Sequence, residues 1–382
     1  MKYPKNLEYV KASQDVSDNL DMSTKATNAE FNEAITDEFG VKYSKDGRRL
    51  LKASRKLNGT YSIKEGVRII CDEAFYYCSS LRSLVIPDSV TSIGDSAFCG
   101  CRSLTDIVIP DSVTSIGDGA FSDCCSLSSL VVPDSVVNLK GNPFCRWDGG
   151  LKCLSPYFVY VNKVLFDKDK SKIIAFRNKN TTSYIIPDGV TSIVNGAFGY
   201  CSSLRSVVIP DGVTFIGDYA FGYCFSLSNI VIPDSVTSIG DGAFGDCESL
   251  RSLVIPDGVT SIGDSAFGDC YSLCSLVLPN GITSIGNSAF ADCRSLTDIV
   301  LPSSVTNIGE SAFYCCESLK SIIIPDGVTS IGDSAFDCCS SLRSVVIPDS
   351  VTSIGDCAFD GCNFSYDLKQ ELISRFREEI FG

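Results

Sequence analysis

Histidine is absent from this chain, which removes the commonest general base and the commonest nitrogen ligand of zinc. Basic residues are also scarce, since 32 Lys and Arg stand against 46 Asp and Glu, giving a net charge of −14. That charge argues against nucleic acid and anionic membrane surfaces as partners. No apolar run approaches the ~20 residues of a membrane-spanning helix, so we expect no membrane insertion.

A secretory signal pattern is missing as well. Lys2, Lys5 and Lys11 lie within Met1–Ser13, but no apolar stretch follows them. A chain whose signal had been removed would look the same, so the sequence leaves both a surface and an intracellular location open.

A 23-residue unit recurs along most of the chain. One copy, from Pro87 to Ile109, reads Pro-Asp-Ser-Val-Thr-Ser-Ile-Gly-Asp-Ser-Ala-Phe-Cys-Gly-Cys-Arg-Ser-Leu-Thr-Asp-Ile-Val-Ile. A fixed period of this length predicts a solenoid, in which each copy is one coil stacked on its neighbours. The proline of the unit returns at Pro110, Pro133, Pro187, Pro210, Pro233, Pro256, Pro279, Pro302, Pro325 and Pro348.

Most of the twenty cysteines follow this repeat rather than a disulfide pattern. They fall three residues after a phenylalanine and, except at Cys362, three before a leucine, where cysteine acts as a small buried hydrophobe. We therefore expect free, buried thiols. The positions that share this offset are Cys78, Cys101, Cys124, Cys201, Cys224, Cys247, Cys270, Cys293, Cys316, Cys339 and Cys362.

The apolar residues of a coil predict its core. The Leu-x-x-Leu-x-Ile run of Leu250–Ile255 predicts a short strand, which Pro256 ends because proline lacks a donor for the ladder. Asp257-Gly258 is a turn signal. The predicted core of this coil comprises Val236, Ile239, Ala243, Phe244, Cys247, Leu250, Leu253 and Ile255.

Helices are predicted at both ends of the stack. Thr27-x-x-Glu30 is a capping-box pattern before an apolar face that runs to Phe39, with Gly40 as a stop. Tyr366–Ile380 carries apolar residues on one helical face. Each helix is expected to cover an open end, and the polar residues before about Leu20 are expected to lack fixed structure.

The regular spacing breaks between Pro133 and Pro187, which are 54 residues apart. Val164–Phe176 matches Val41–Ala53 at an offset of 123 residues, so the chain holds two modules, each a hairpin followed by coils. The second hairpin lies in an island with the only tryptophan, Trp147. This island is either an internal cap packed against the stack, which we favour, or an exposed ligand-contacting element.

These patterns divide the chain into six segments. They are residues 1–40 (polar segment and capping helix), 41–63 (first hairpin), 64–145 (coils), 146–186 (island with the second hairpin), 187–362 (coils) and 363–382 (C-terminal capping helix).

The units Leu-x-x-Leu-x-Ile-Pro, Val-Thr-Ser-Ile-Gly and Ser-Ala-Phe-x-x-Cys together resemble the BspA-like leucine-rich repeats, from about Val41 to Cys362. The resemblance implies a β-rich solenoid of the α/β leucine-rich repeat class: a curved, right-handed stack of about twelve 23-residue coils with parallel strands. It also implies surface or secreted proteins that attach to host matrix proteins or to other cells, and it supplies no catalytic residues.

One outward position of the predicted strands is apolar in every coil. This Val column is either a docking or self-association surface, or a simple consequence of strand propensity. Cations three residues earlier favour binding slightly, although solvated charges at a strand edge are the commoner outcome. They are Arg82, Arg205, Arg251, Lys320 and Arg343. The Val column comprises Val85, Val108, Val131, Val208, Val231, Val254, Val277, Val300, Ile323 and Val346.

Departures from the consensus mark a candidate ligand patch. Aromatic residues occupy offsets that are polar or small in most coils, so they are expected to be exposed, and exposed aromatics are enriched at interface hot spots. Neutral drift is an equal alternative. The candidates are Tyr200, Phe215, Tyr219, Tyr223, Phe225 and Tyr271.

Aspartates recur after the proline, as at Asp88, and after Ile-Gly, as at Asp95. Stacked carboxylates could attract calcium, but turn chemistry is the favoured interpretation. Cys315 and Cys338 share an exposed-type offset in successive coils, where they could pair or form a weak metal site.

Together these features predict a non-enzymatic protein-interaction module, adhesin-like at a cell surface, or alternatively an intracellular scaffold. No cofactor or metal is expected, and an unidentified protein is the expected ligand.

Overall fold

The computed structural model describes residues 23–382, so the predicted polar segment before Leu20 lies outside the described residues. The chain forms a β-solenoid of about 13 turns with little helix, close to the about twelve coils predicted. The core residues predicted for the coil at Pro233, from Val236 to Ile255, are all buried.

The first module contains twelve short strands. They are β1 (Ile35–Thr36), β2 (Lys42–Tyr43), β3 (Arg49–Lys52), β4 (Asn58–Ser62), β5 (Ile69–Ile70), β6 (Ser80–Val85), β7 (Ser92–Ile93), β8 (Asp106–Ile107), β9 (Ser115–Ile116), β10 (Ser129–Val132), β11 (Asn138–Leu139) and β12 (Gly150–Cys153).

The second module continues the same alternation. Its strands are β13 (Phe158–Val161), β14 (Val164–Asp167), β15 (Lys172–Phe176), β16 (Ser183–Ile185), β17 (Ser192–Ile193), β18 (Ser206–Val208), β19 (Phe215–Ile216), β20 (Asn229–Val231), β21 (Ser238–Ile239), β22 (Ser252–Val254), β23 (Ser261–Ile262), β24 (Ser275–Val277), β25 (Ser284–Ile285), β26 (Asn307–Ile308), β27 (Ser321–Ile323), β28 (Ser330–Ile331), β29 (Ser344–Val346) and β30 (Ser353–Ile354).

Most coils contribute one strand to each of two faces. The two-residue Ser-Ile strands join sheets of seven and eleven strands, here called the Ser-Ile sheets. The strands that carry the Val column, in which only Val108 and Val300 lie outside a strand, form shorter sheets of two or three strands, here called the Val sheets. Strands of the coils pair in parallel with the equivalent strand one repeat further along the chain, as Phe215 of β19 pairs with Ser238 of β21. The strands stay short because Pro ends one and Gly interrupts the other.

Phenylalanine rings form the centre of the stack. From Phe198 to Phe359 the rings of successive coils are stacked with centroids 4.9–5.6 Å apart. The buried cysteines lie beside them. From Cys101 onward each thiol at this repeat offset donates to the phenylalanine carbonyl of the preceding coil, as from Cys247 Sγ to Phe221 O at 3.4 Å, whereas Cys78 Sγ donates to Ser54 O. All twenty cysteines are free.

The aspartates after Ile-Gly link successive coils. Asp241 Oδ1 accepts a hydrogen bond from the backbone N–H of Asp264 at 2.8 Å, and Asp333 Oδ1 accepts one from Asp356 at 2.9 Å. The carboxylates thus accept backbone N–H bonds from the following coil, whereas the turn interpretation placed their role within one turn. Within residues 23–382, no three Cys, Asp or Glu side chains are grouped so as to hold a metal ion.

The N-terminal cap differs from the prediction. The capping box of Thr27 and Glu30 is present, but the helix α1 covers only Asn28–Asn32. Ala26, Phe31 and Ala34 pack against a small cluster that includes Leu51, separate from the main core. The edge of the first coil is instead extended by β1, which pairs antiparallel with β2, because Ile35 adopts an extended rather than a helical backbone.

The C-terminal helix begins where it was predicted but is shorter. The helix α2 covers Tyr366–Arg375, and a 3₁₀ helix follows over Glu378–Phe381. Leu372 and Ile380 are buried in the core of the last coils. The backbone N–H of Phe359 donates to Ile380 O at 2.8 Å, so this segment continues the coil-to-coil hydrogen bonds.

The island is packed rather than free-standing. β12 pairs in parallel with β10, so the first stack extends past residue 145 to Cys153. Trp147 is only 1% exposed, and its Nε1 donates to Leu127 O at 2.7 Å. Asn142 Nδ2 donates to Gly196 O at 2.8 Å across the junction. Burial of the tryptophan supports the packed-cap interpretation.

Both modules start with three antiparallel strands. β1, β2 and β3 open the first, and β13, β14 and β15 open the second. β1 begins at Ile35 and β13 begins at Phe158, 123 residues later, which is the offset found in the sequence. The duplicated unit therefore includes a strand before each predicted hairpin.

Candidate interaction surface

One position in every coil, two residues after the core phenylalanine, has a left-handed backbone. Its φ is 62° at Tyr200, 61° at Tyr223 and 56° at Arg146. Large side chains rarely adopt this region, which favours Gly, Asn and Asp. The residues of this left-handed column are Tyr77, Gly100, Asp123, Arg146, Tyr200, Tyr223, Asp246, Asp269, Asp292, Cys315, Cys338 and Gly361.

Side chains of the left-handed column touch from coil to coil across the module junction. Asp123 forms a salt bridge of 2.9 Å with Arg146. The Arg146 guanidinium lies 4.4 Å from the centroid of the Tyr200 ring. The rings of Tyr200 and Tyr223 are stacked 4.2 Å apart, and Phe225 meets Tyr223 edge-on at 6.2 Å. Tyr200, Tyr223 and Phe225 therefore form one cluster, here called the aromatic cluster.

The aromatic cluster is less exposed than the sequence predicted. Phe225 is 38% exposed, but Tyr200 and Tyr223 are half-buried because each covers its neighbour. Burial is also the main reason that the pKa of Tyr200 is raised. The edges of the stacked rings, rather than their faces, are left for a partner.

The other aromatic candidates lie outside this cluster. Tyr219 is 50% exposed and also has a positive φ, 51°. It covers Gly242, where an added Cβ would lie 2.3 Å from the Tyr219 ring. Phe215 is 38% exposed but belongs to β19, in a Ser-Ile sheet. The structure thus does not bring all of the predicted aromatics together.

Tyr271 belongs to a separate charged network. Its hydroxyl donates to Asp269 Oδ1 at 3.0 Å, and this hydrogen bond is the main cause that raises the pKa of Tyr271 to about 12. Arg294 lies 4.9 Å from the Tyr271 ring centroid and bonds Asp292 at 2.7 Å. These contacts fix Tyr271 from both sides.

The Val column is exposed along its length. Exposure ranges from 43% at Val131 to 81% at Val300. Ile185, which pairs in register with Val208, is 71% exposed and extends the column. Around Val300 and Ile323 the surface forms a depression of about 510 Å³. Large contiguous apolar patches on a monomer commonly mark interaction sites, so the column is a candidate binding surface.

The row of cations beside the Val column is also exposed. Arg82, Arg205, Arg251 and Arg343 are all accessible to solvent. Grooves of about 540 Å³ and 370 Å³ lie at Arg205–Arg251 and at Arg82.

Cys315 and Cys338 are adjacent members of the left-handed column, and both are free. The pKa of Cys338 is raised to about 12, mainly by its hydrogen bond with Asp337. A thiol that is hard to ionise is a poor metal ligand and a poor nucleophile.

Sequence reasoning missed Arg146, which links the modules through Tyr200. The sequence does contain a signal for this residue, because Arg146 lies two residues after Phe144, just as Tyr200 lies two residues after Phe198. The irregular spacing after Pro133 hid this equivalence.

No helix within residues 23–382 has the length and apolar character to cross a membrane.

The stacked parallel coils with an exposed strand face define a leucine-rich repeat solenoid. Residues 56–149, 172–274 and 260–382 match the BspA type leucine rich repeat region, so the chain belongs to this family. The family is typically non-catalytic. A comparison with curated proteins gives no match.

Solved structures of bacterial proteins are similar to this chain. A leucine-rich repeat protein from Eubacterium ventriosum is 24% identical, with a TM-score of 0.59, over 83% of this chain and 89% of that one. A leucine rich cell surface protein from Faecalibacterium prausnitzii is 28% identical, with a TM-score of 0.42, over 82% and 94% of the two chains. The similarity to the Eubacterium ventriosum structure supports the fold alone.

Proposed function

We propose that this chain is a non-enzymatic protein-interaction module that acts as an adhesin-like surface protein and binds host matrix proteins or proteins of other cells. The observation that carries the proposal is the exposed Val column on one face of the solenoid. Burial of such apolar surface drives most protein association. The BspA-like family resemblance supports the surface location.

Substitutions in the Val column test where the partner binds. Val208→Thr, Val254→Thr and Val277→Thr, combined, keep the β-branched shape that suits strands but remove an apolar methyl from each site. We expect binding to a panel of purified matrix proteins to weaken by about tenfold or more, since central apolar contacts dominate interfaces. Surface plasmon resonance measures the change.

Val137→Thr is the matched control. Val137 is exposed but lies outside the Val column, at an offset where other coils carry threonine. This variant should bind like the wild type. Equal affinity of the triple variant and the wild type for a verified ligand would contradict the proposed surface.

An intracellular scaffold is the alternative. Fractionation of the source cells, combined with protease treatment of intact cells, separates the two. Loss of the chain on protease treatment supports the surface role, whereas full protection with recovery in the cytosolic fraction supports the scaffold.

Self-association through the Val column is a second candidate, favoured by the same exposed strip. Sedimentation of the purified chain at rising concentration measures it. A concentration-dependent dimer that the triple threonine variant abolishes would show that the column binds a second copy.

A further inference from the structure

A groove of about 540 Å³ lies between the aromatic cluster and the Val column. Its lining contains two guanidinium groups and four hydroxyl groups, and no carboxylate. Such a lining is unusual in a chain with a net charge of −14. The lining residues are Arg205, Ser226, Ser228, Ser249, Arg251 and Ser272.

The repeat itself builds this groove. Arg205, Ser228 and Arg251 share one offset in three successive coils. Stacked coils at strand spacing place the two arginine Cα atoms about 9–10 Å apart. Two long guanidinium side chains can therefore converge above Ser228. The buried leucine of each coil, such as Leu227, lies between two outward residues, which is why serines line the other side.

Neither guanidinium has a partner in the part of the chain that the structure describes. Among residues 23–382, Arg205 and Arg251 make no side-chain hydrogen bond or salt bridge, whereas Arg294 and Arg377 each bind a carboxylate at 2.7 Å. The hydroxyls of Ser226 and Ser272 also have no hydrogen-bond partner in this part of the chain. Unpaired donors that face one groove suit a ligand rich in acceptor oxygens.

We propose that this groove is a binding site for an oxyanion of the sulfate or phosphate type. Arg205 and Arg251 donate to its oxygens from either side, and the free hydroxyls of Ser226 and Ser272 donate as well. The hydroxyls of Ser228 and Ser249 already donate to Arg205 O and Phe225 O. The smaller groove at Arg82, of about 370 Å³, is lined by Asn58, Gly59, Ser80 and Ser103 and holds a single guanidinium. It should bind the same anions more weakly.

Titration with sodium sulfate tests the site directly. Ionic strength is held constant with sodium chloride, and the arginine Nε–Hε signals are followed by NMR. We expect the signals of Arg205 and Arg251 to shift saturably. Each single variant, Arg205→Gln or Arg251→Gln, should lose one of these two signals and bind sulfate about tenfold more weakly. Arg68→Gln, which removes an exposed arginine outside the groove, should leave the titration unchanged.

Non-saturating shifts, or an unchanged affinity in the double variant Arg205→Gln/Arg251→Gln, would overturn the proposal, provided that the melting temperature is preserved. Dextran sulfate in place of sodium sulfate separates the sources of the anion. Tighter binding per sulfate group supports an ester carried on a polymer, and equal binding supports a free anion. Absence of binding to both probes excludes the site.

Discussion

At the scale of single residues, side chains that bond from one coil to the next hold the stack together. Asp118 shows the cost of this arrangement at the module junction. Its Oδ1 accepts from the backbone N–H of Asn142 at 2.7 Å. Burial, together with the nearby Asp95 and Asp218 carboxylates, raises the pKa of Asp118 from 3.8 to about 7. The folded state therefore favours the protonated form.

Replacement of this carboxyl by an amide should stabilise the protein at neutral and higher pH. Because the folded pKa is raised, ionisation lowers stability as pH rises from about 4 through about 7. Asp118→Asn keeps the acceptor, as Asn195 and Asn287 do at the same offset. We expect a gain of about 1–2 kcal/mol in the free energy of unfolding at pH 8, and a smaller gain at pH 5.

Urea denaturation at the two pH values measures the effect. Asp241→Asn, at the same offset but exposed, is the control and should change stability less. Destabilisation by Asp118→Asn at both pH values would show that the charged carboxylate is required in the folded state.

The eleven buried cysteines that share one repeat offset, from Cys78 to Cys362 and here called the cysteine ladder, should resist modification in the native protein. Burial raises the pKa of Cys78 to about 11 and that of Cys124 to about 12. Only about one thiol in a thousand or fewer is then ionised at pH 8, and the thiolate is the reactive form. A thiol reagent should label the exposed Cys125 and Cys274 first.

Mass spectrometry after labelling of native and denatured protein, both without reductant, measures this difference. The denatured chain should titrate all twenty thiols. Disulfides that survive denaturation at the ladder positions would contradict the free-thiol account.

At the scale of elements, the positive φ of the left-handed column determines which aromatic residues can be removed at little cost in stability. Tyr200→Gly combined with Tyr223→Gly removes the stacked rings but relieves two positive-φ positions, which Gly100 and Gly361 already show to accept glycine. The relieved strain of about 1–2 kcal/mol per residue offsets part of the lost packing. We expect a small change in melting temperature but at least about tenfold weaker binding of a verified ligand.

Tyr77→Gly is the matched control for this pair. Tyr77 has the same offset and a φ of 57°, but it lies on a distant coil of the first module. No loss of binding in the double variant would show that the aromatic cluster arose by drift. An equal loss in Tyr77→Gly would show that the loss is not specific to the cluster, which also contradicts the prediction.

The repeat made much of this architecture predictable, because one coil defines all others. Phe244 and Cys247 could be placed in the core from their offsets alone, and burial confirms them. The helix at Asn28–Asn32 was predicted too long, because Ile35 pairs with Tyr43 in a sheet that local pattern does not reveal. The contact of Arg146 with Tyr200 joins residues across the irregular junction, where the period gives no register.

At the scale of the whole molecule, the two faces of the solenoid differ in the length of their sheets and in their exposed side chains. The Ser-Ile sheets run almost continuously through each module and carry the stack. The Val sheets are shorter and carry the exposed Val column, with the oxyanion groove and the aromatic cluster beside it. A partner that binds this surface therefore contacts several coils at once without disturbing the longer sheets.

Site-specific photo-crosslinking tests this division most directly. A photoreactive amino acid is placed at Val254 in the Val column or at Thr260, which is exposed at the edge of a Ser-Ile strand in the following coil. Each protein is irradiated with the matrix-protein panel. Our account predicts crosslinks from Val254 and none from Thr260. Crosslinks from Thr260 alone, or none from either position to a ligand that binds the unmodified chain, would contradict it.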